Sequence, residues 1–190
     1  DADDTRLYQA GVGELNWLAQ TTHPDLSVAV SLLGTYNCKP PASGLAAIKK
    51  CMRYVAGTLD DYLESNLVPG QGHQVYSDSD HAGMHRITGD TRSRGGVVET
   101  YCGMAFSWKS FWESERLSSA EAEVFAASEA VKLGLHHSYV LQELFQLPQE
   151  PFPVWIDSSA AIGFANDTAC KGKMKHIDQR DNWVTRIKDR

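Results

Sequence analysis

Apolar residues recur every three or four positions from Thr5 to about residue 64, and the pattern changes at about His73, where strand-like alternation first appears. In "RLYQAGVGELNWLAQ", Leu7, Gly11, Leu15 and Leu18 fall at helical spacing, which predicts a helix. "HPDLSVAVSLLGTY" follows with a proline-marked start. Pro40-Pro41 then opens a third helix, "ASGLAAIKKCMRYVAG", closed by Gly57. The Pro/Gly-rich joint "LVPGQGH", residues 67–73, predicts an all-helical segment over 1–66 and a second domain over 67–190.

In that second part a strand is expected at about 73–79, then a polar loop, then "GGVVETY" and "MAFSWKS" as two strands joined around Gly103. A long helix, a further strand at 152–157 and more helices follow. Three neighbouring strands, a helix, a strand and a helix make an α/β domain with a mixed sheet and flanking helices.

Composition narrows the classes. With 190 residues, 42% of them hydrophobic, the chain has material for one medium domain, or a small domain with a helical annex. No apolar run approaches the ~20 residues of a membrane span, and the start "DADDTRLYQA" lacks the order of a secretory signal, so no membrane partner is expected. Cys38, Cys51, Cys102 and Cys170 form no C-x-x-C pair, which fits reduced thiols inside a cell better than a disulfide frame or zinc site. The net charge of −6 argues against a freestanding high-affinity nucleic-acid binder. Yet Lys171 to Arg190 carries a local balance of +4, and Arg86, Arg92 and Arg94 make a second basic cluster read as a solvated loop.

The chemistry lies in the acids. In "HQVYSDSDHAG", alternation puts Gln74, Tyr76, Asp78 and Asp80 on one strand face, and like charges so placed repel unless something positive lies between them. "VWIDSSAA" repeats the design, with Asp157 and then Ser158 at a strand end. In "LSSAEAEVFAASEA", Ser118 and Glu121 have the spacing of a capping box, which gives Glu121 an ordinary task. Glu123 instead lines up with Ala127, Ala130 and Gly134, a small-residue stripe by which a helix approaches a sheet closely. An unpaired carboxylate there is costly, and either a cationic partner or a metal is needed to offset it. Three hard oxygen ligands on separate elements suit Mg²⁺ or Mn²⁺, and two such ions clamp the attacking water and the leaving oxygen of a phosphodiester.

"VYSDSDHAG", "TRSRGG", "FSWKS", "LSSAEAEVFAASEA", "VWIDSSAAIGFAND" and "KMKHIDQRDNWV" stand in an order and spacing that resemble the ribonuclease H domain of copia-type (Pseudoviridae) LTR retrotransposon polyproteins. "LYQAGVGELNWLAQTTHPDLSVAVSLL" and "AAIKKCMRYVAGTLD" resemble the segment connecting the reverse transcriptase to that domain. The resemblance implies an RNase H-like fold that cleaves the RNA strand of RNA–DNA hybrids with two Mg²⁺ (or Mn²⁺) ions. It also implies the reverse transcriptase portion of the same polyprotein as a partner, and a cytoplasmic virus-like particle, or the nucleus, as location. Carried over by motif, the metal ligands are Asp78, Glu123 and Asp157, while Asp80 is a neighbour.

The chain also departs from the family. His81 replaces an aromatic residue, and Ser158-Ser159 replace Asn-Gln. The family continues through another strand to a helix carrying a fourth acid, so a C-terminal strand and helix are expected to be lacking. Asp178 of "KHID" is the nearby candidate for that fourth catalytic ligand, although it could equally cap or pair within a basic helix. His176 could act as a mobile acid, and His81 and His85 read as solvated. The competing reading is a catalytically weak or dead derivative kept as a structural or nucleic-acid-binding module. A third, an integrase-like nuclease, fits the helix spacing less well.

Overall fold

A computed structural model describes residues 2–64, 67–83, 85, 89–113, 118–146 and 150–166. The chain divides into two compact units, Asp1–Glu64 and Ser65–Arg190. Among the described residues no helix is long and apolar enough to cross a membrane.

The first unit is helical: α1 (Ala2–Thr21), a 3₁₀ turn (Pro24–Leu26), α2 (Ser27–Thr35) and α3 (Gly44–Gly57). Its core is Tyr8, Val12, Leu15 and Ala19 of α1 with Leu26, Val30 and Ile48. The inner face of α1 is centred on Tyr8 rather than Leu7, since Leu7 is 60% exposed and Tyr8 is fully buried. Two contacts decide between them. The Tyr8 hydroxyl donates to the Leu33 carbonyl at 2.7 Å, and Gly11 lies so close to α3 that a Cβ would meet Ile48 Cγ2 at 2.8 Å.

The second unit contains β1 (His73–Asp80), β2 (Arg94–Tyr101), β3 (Met104–Trp112), α4 (Ser119–Phe145), β4 (Val154–Trp155) and α5 (Ser159–Ala165). The strand order is β3-β2-β1-β4, antiparallel except for the parallel β1–β4 pair. This mixed sheet with flanking helices is the α/β arrangement expected of an RNase H-like fold. Cys102 and Gly103, at φ of 51° and 80°, make the two-residue β2–β3 turn; positive φ at both positions matches the twist of an antiparallel hairpin. β4 is shorter than the expected 152–157. Prolines 151 and 153 lack N–H groups, and only the Pro153 carbonyl reaches the sheet, accepting from Val75 N at 3.1 Å.

The α4 stripe packs on the inner face of the sheet as its small residues require. Ala127, Ala130 and Gly134 are buried, and Val75, Val97 and Ala130 centre the core. A Cβ on Gly134 would meet Phe152 Cζ at 2.7 Å and Val75 Cγ2 at 2.9 Å. This close approach fixes the long helix on the sheet and with it the position of Glu123.

Candidate metal centre

Ser118 caps α4 by accepting the Glu121 N–H at 3.2 Å, so the helix starts where the sequence places it. Glu123 follows in the second turn and is 7% exposed. Asp78 projects from the exposed face of β1, opposite Gly96 in the register, and its Oδ1 accepts the Ser79 N–H at 2.9 Å. Asp157 follows β4 and precedes Ser158, whose hydroxyl accepts the Ala161 N–H and caps α5.

These three elements bring the acids together. Asp78, Glu123 and Asp157 each offer a carboxylate oxygen, and the three oxygens lie within 4.8 Å of one another. Glu123 Oε2 is buried and has no hydrogen-bond partner. Burial, then the charges of Asp78 and Asp157, push the Glu123 carboxyl up to about 7, against the pull of the Ser79 backbone amide. Three carboxylates and an orphaned buried oxygen are a donor set short of positive charge, which a hard divalent cation fits.

Asp80 stands outside this group of three and pairs in register with Arg94. Arg94 is not the solvated loop residue expected. It begins β2, is 5% exposed, lies 4.1 Å over the Trp112 ring and donates Nη1 to Ser110 Oγ at 2.9 Å. Stacking on an aromatic face lets a weakly hydrated guanidinium leave water, which a lysine would resist. Arg92 remains partly exposed and pairs with Asp90. His81 and His85 are exposed. Asp178, His176, Arg86 and the basic stretch 171–190 lie outside the described residues.

Two buried acids escaped the sequence reading. Glu99, fully buried on the inner face of β2, is bonded by His73 Nε2 at 2.8 Å and His137 Nδ1 at 2.7 Å. Burial would raise its carboxyl, but the two histidine hydrogen bonds outweigh it and hold the group below its ordinary value. Glu113 accepts from Ser79 Oγ at 2.8 Å beneath the site. Alternation from Gly95 and Val97 was the signal that Glu99 faces inward.

The retrovirus-related Pol polyprotein from transposon TNT 1-94 of Nicotiana tabacum is 32% identical over 187 residues, covering 96% of this chain and 13% of the polyprotein. That of transposon RE2 of Arabidopsis thaliana is 31% identical over 176 residues, 92% of this chain and 12% of the polyprotein. The chain belongs to the Pol polyproteins of copia-type retrotransposons. It thus spans about an eighth of the Pol polyproteins it matches. A shorter relative, secreted RxLR effector protein 161 of Plasmopara viticola, is 32% identical over 126 residues, 66% of this chain and 87% of that protein. No family model and no solved structure matches the chain.

Proposed function

We propose that this Pol segment is a ribonuclease H that cleaves the RNA strand of RNA–DNA hybrids during reverse transcription, working beside the reverse transcriptase of the same polyprotein. The observation that carries the reading is the convergence of Asp78, Glu123 and Asp157 around the buried, unpartnered Glu123 Oε2. These side chains would hold Mg²⁺ or Mn²⁺. When bound, such ions supply an activated water and charge neutralisation at a phosphodiester. The chain contributes the rest. α4, locked on the sheet by Gly134, holds Glu123 in place, while Asp78 on β1 and Asp157 just after β4 lie close to it. Asp178, outside the described residues, is proposed as a fourth ligand only because it is the nearby candidate to substitute for the family's downstream acid. Cleavage of end-labelled RNA in a hybrid, with Mg²⁺ or Mn²⁺ and none with EDTA, tests the proposal.

The Plasmopara relative favours a second reading. A similar segment there makes up most of a much shorter protein with a different name, which suits a module that has lost its enzymatic task. Absence of cleavage together with retained hybrid binding would select it.

A further inference from the structure

Tyr76 and Trp155 lie opposite each other in the β1–β4 pair, and each stands two residues before an acid of the site, Asp78 and Asp157. Tyr76 shares the exposed face of β1 with Asp78, one two-residue step of ~7 Å away. The two rings stack with centroids 6.4 Å apart and planes 17° from parallel. Gln74 Oε1 fixes both, accepting from Tyr76 OH at 2.9 Å and from Trp155 Nε1 at 3.1 Å. Val98 and Trp108 continue the row across β2 and β3 in register. Tyr76 is 40% exposed and Trp155 53%.

We infer that this row is a stacking platform for an unpaired nucleotide next to the phosphate bound at the acids, an inference that rests on the nuclease reading. The polar edges of both rings are already satisfied by Gln74, and no charged side chain belongs to the row, so the surface presents uncharged π faces. It suits a flat group whose own charge sits one step away, where cation-loaded carboxylates would take it. A nucleobase and its phosphate have that form. Bases within a duplex are already stacked on each other, so the platform selects a nucleotide at a single-stranded junction rather than one inside the hybrid. Because Gln74 holds the rings in place before binding, little side-chain freedom is lost when a base settles on them.

Binding of labelled oligouridine to the whole chain in Ca²⁺ tests the platform, compared among the unaltered protein, Trp155→Ala and Trp155→Phe, with melting curves to verify folding. The platform predicts about tenfold weaker binding for Trp155→Ala and recovery of most of it in Trp155→Phe. Equal affinity in all three proteins, or no oligouridine binding by the unaltered chain, overturns it. So does a Trp155→Ala effect that appears instead as loss of self-association on size exclusion. Cleavage of a blunt hybrid, which offers the platform no unpaired nucleotide, is scored separately: its absence counts against the nuclease reading, while the oligouridine comparison decides the platform.

Discussion

Glu123 and Asp78 bring carboxylate oxygens within 4.8 Å of each other, one from a buried turn of α4 and the other from the exposed face of β1. Glu121, two residues earlier, supplies the N–H that Ser118 caps. The two glutamates therefore separate by role. Glu123→Gln should lower hybrid cleavage by at least 100-fold, because it removes a charged ligand. Glu121→Gln should stay within about threefold, since glutamine also serves a capping box. Parallel cleavage assays check this, and equal losses would assign the site to the wrong glutamate.

The raised Glu123 carboxyl has a consequence for the metal-free protein. With a folded value of about 7 against an ordinary 4.5, the folded chain holds a proton that the unfolded chain releases between those two pH values. Its stabilising contribution is full below pH 4.5 and is lost as pH rises through 7. In EDTA, Glu123→Gln should match the parent near pH 4 and exceed it at pH 8, by on the order of 3 kcal/mol. Thermal melts of both proteins at the two pH values measure the difference.

Close packing of α4 predicts opposite signs at two glycines. Gly134→Ala should destabilise by about 1–2 kcal/mol, because its Cβ enters space held by Phe152 and Val75 and this outweighs the gain in helix propensity. Gly13→Ala, exposed on α1 with nothing within 4 Å of its Cβ, should stabilise by about 0.5–1 kcal/mol. Denaturant midpoints of the two variants give both signs.

The buried Glu99 ties β1, β2 and α4 together through His73 and His137. Because its carboxyl is held below the ordinary range, its contribution is present above that range and is lost on acidification through its folded value. His137→Phe should cost roughly 1–3 kcal/mol at pH 7 by leaving the carboxylate with one fewer donor. Urea unfolding at pH 7 provides the comparison.

Much of this was legible because the two periodicities are strict. Alternation in "QVYSDSD" places Tyr76 and Asp78 on one face, and 100° steps place Glu123 above Ala127, Ala130 and Gly134. Where two stripes share residues the pattern is silent. Gly11 and Leu15 serve a face centred on Leu7 or one centred on Tyr8, and only contacts to Leu33 and Ile48, supplied from distant sequence, choose Tyr8. The burial of Arg94 and the partners of Glu99 were illegible for a related reason. A buried charge is permitted only by partners such as Trp112, 18 residues on, or His137, 38 residues on, and no local pattern announces them. The length of β4 was overread because "FPVWID" has strand residues at its centre, while its one proline, Pro153, withholds an N–H that a ladder needs.

The central claim is that Asp78, Glu123 and Asp157 form a cation-dependent site for hybrid cleavage. Its most direct measurement is cleavage of an end-labelled RNA–DNA hybrid by the unaltered chain and by Asp157→Asn, each with Mg²⁺ and with EDTA. The account predicts RNA-strand products ending in 3′-hydroxyl only for the unaltered chain with Mg²⁺. Cleavage that persists in EDTA, or that Asp157→Asn leaves intact, would contradict it.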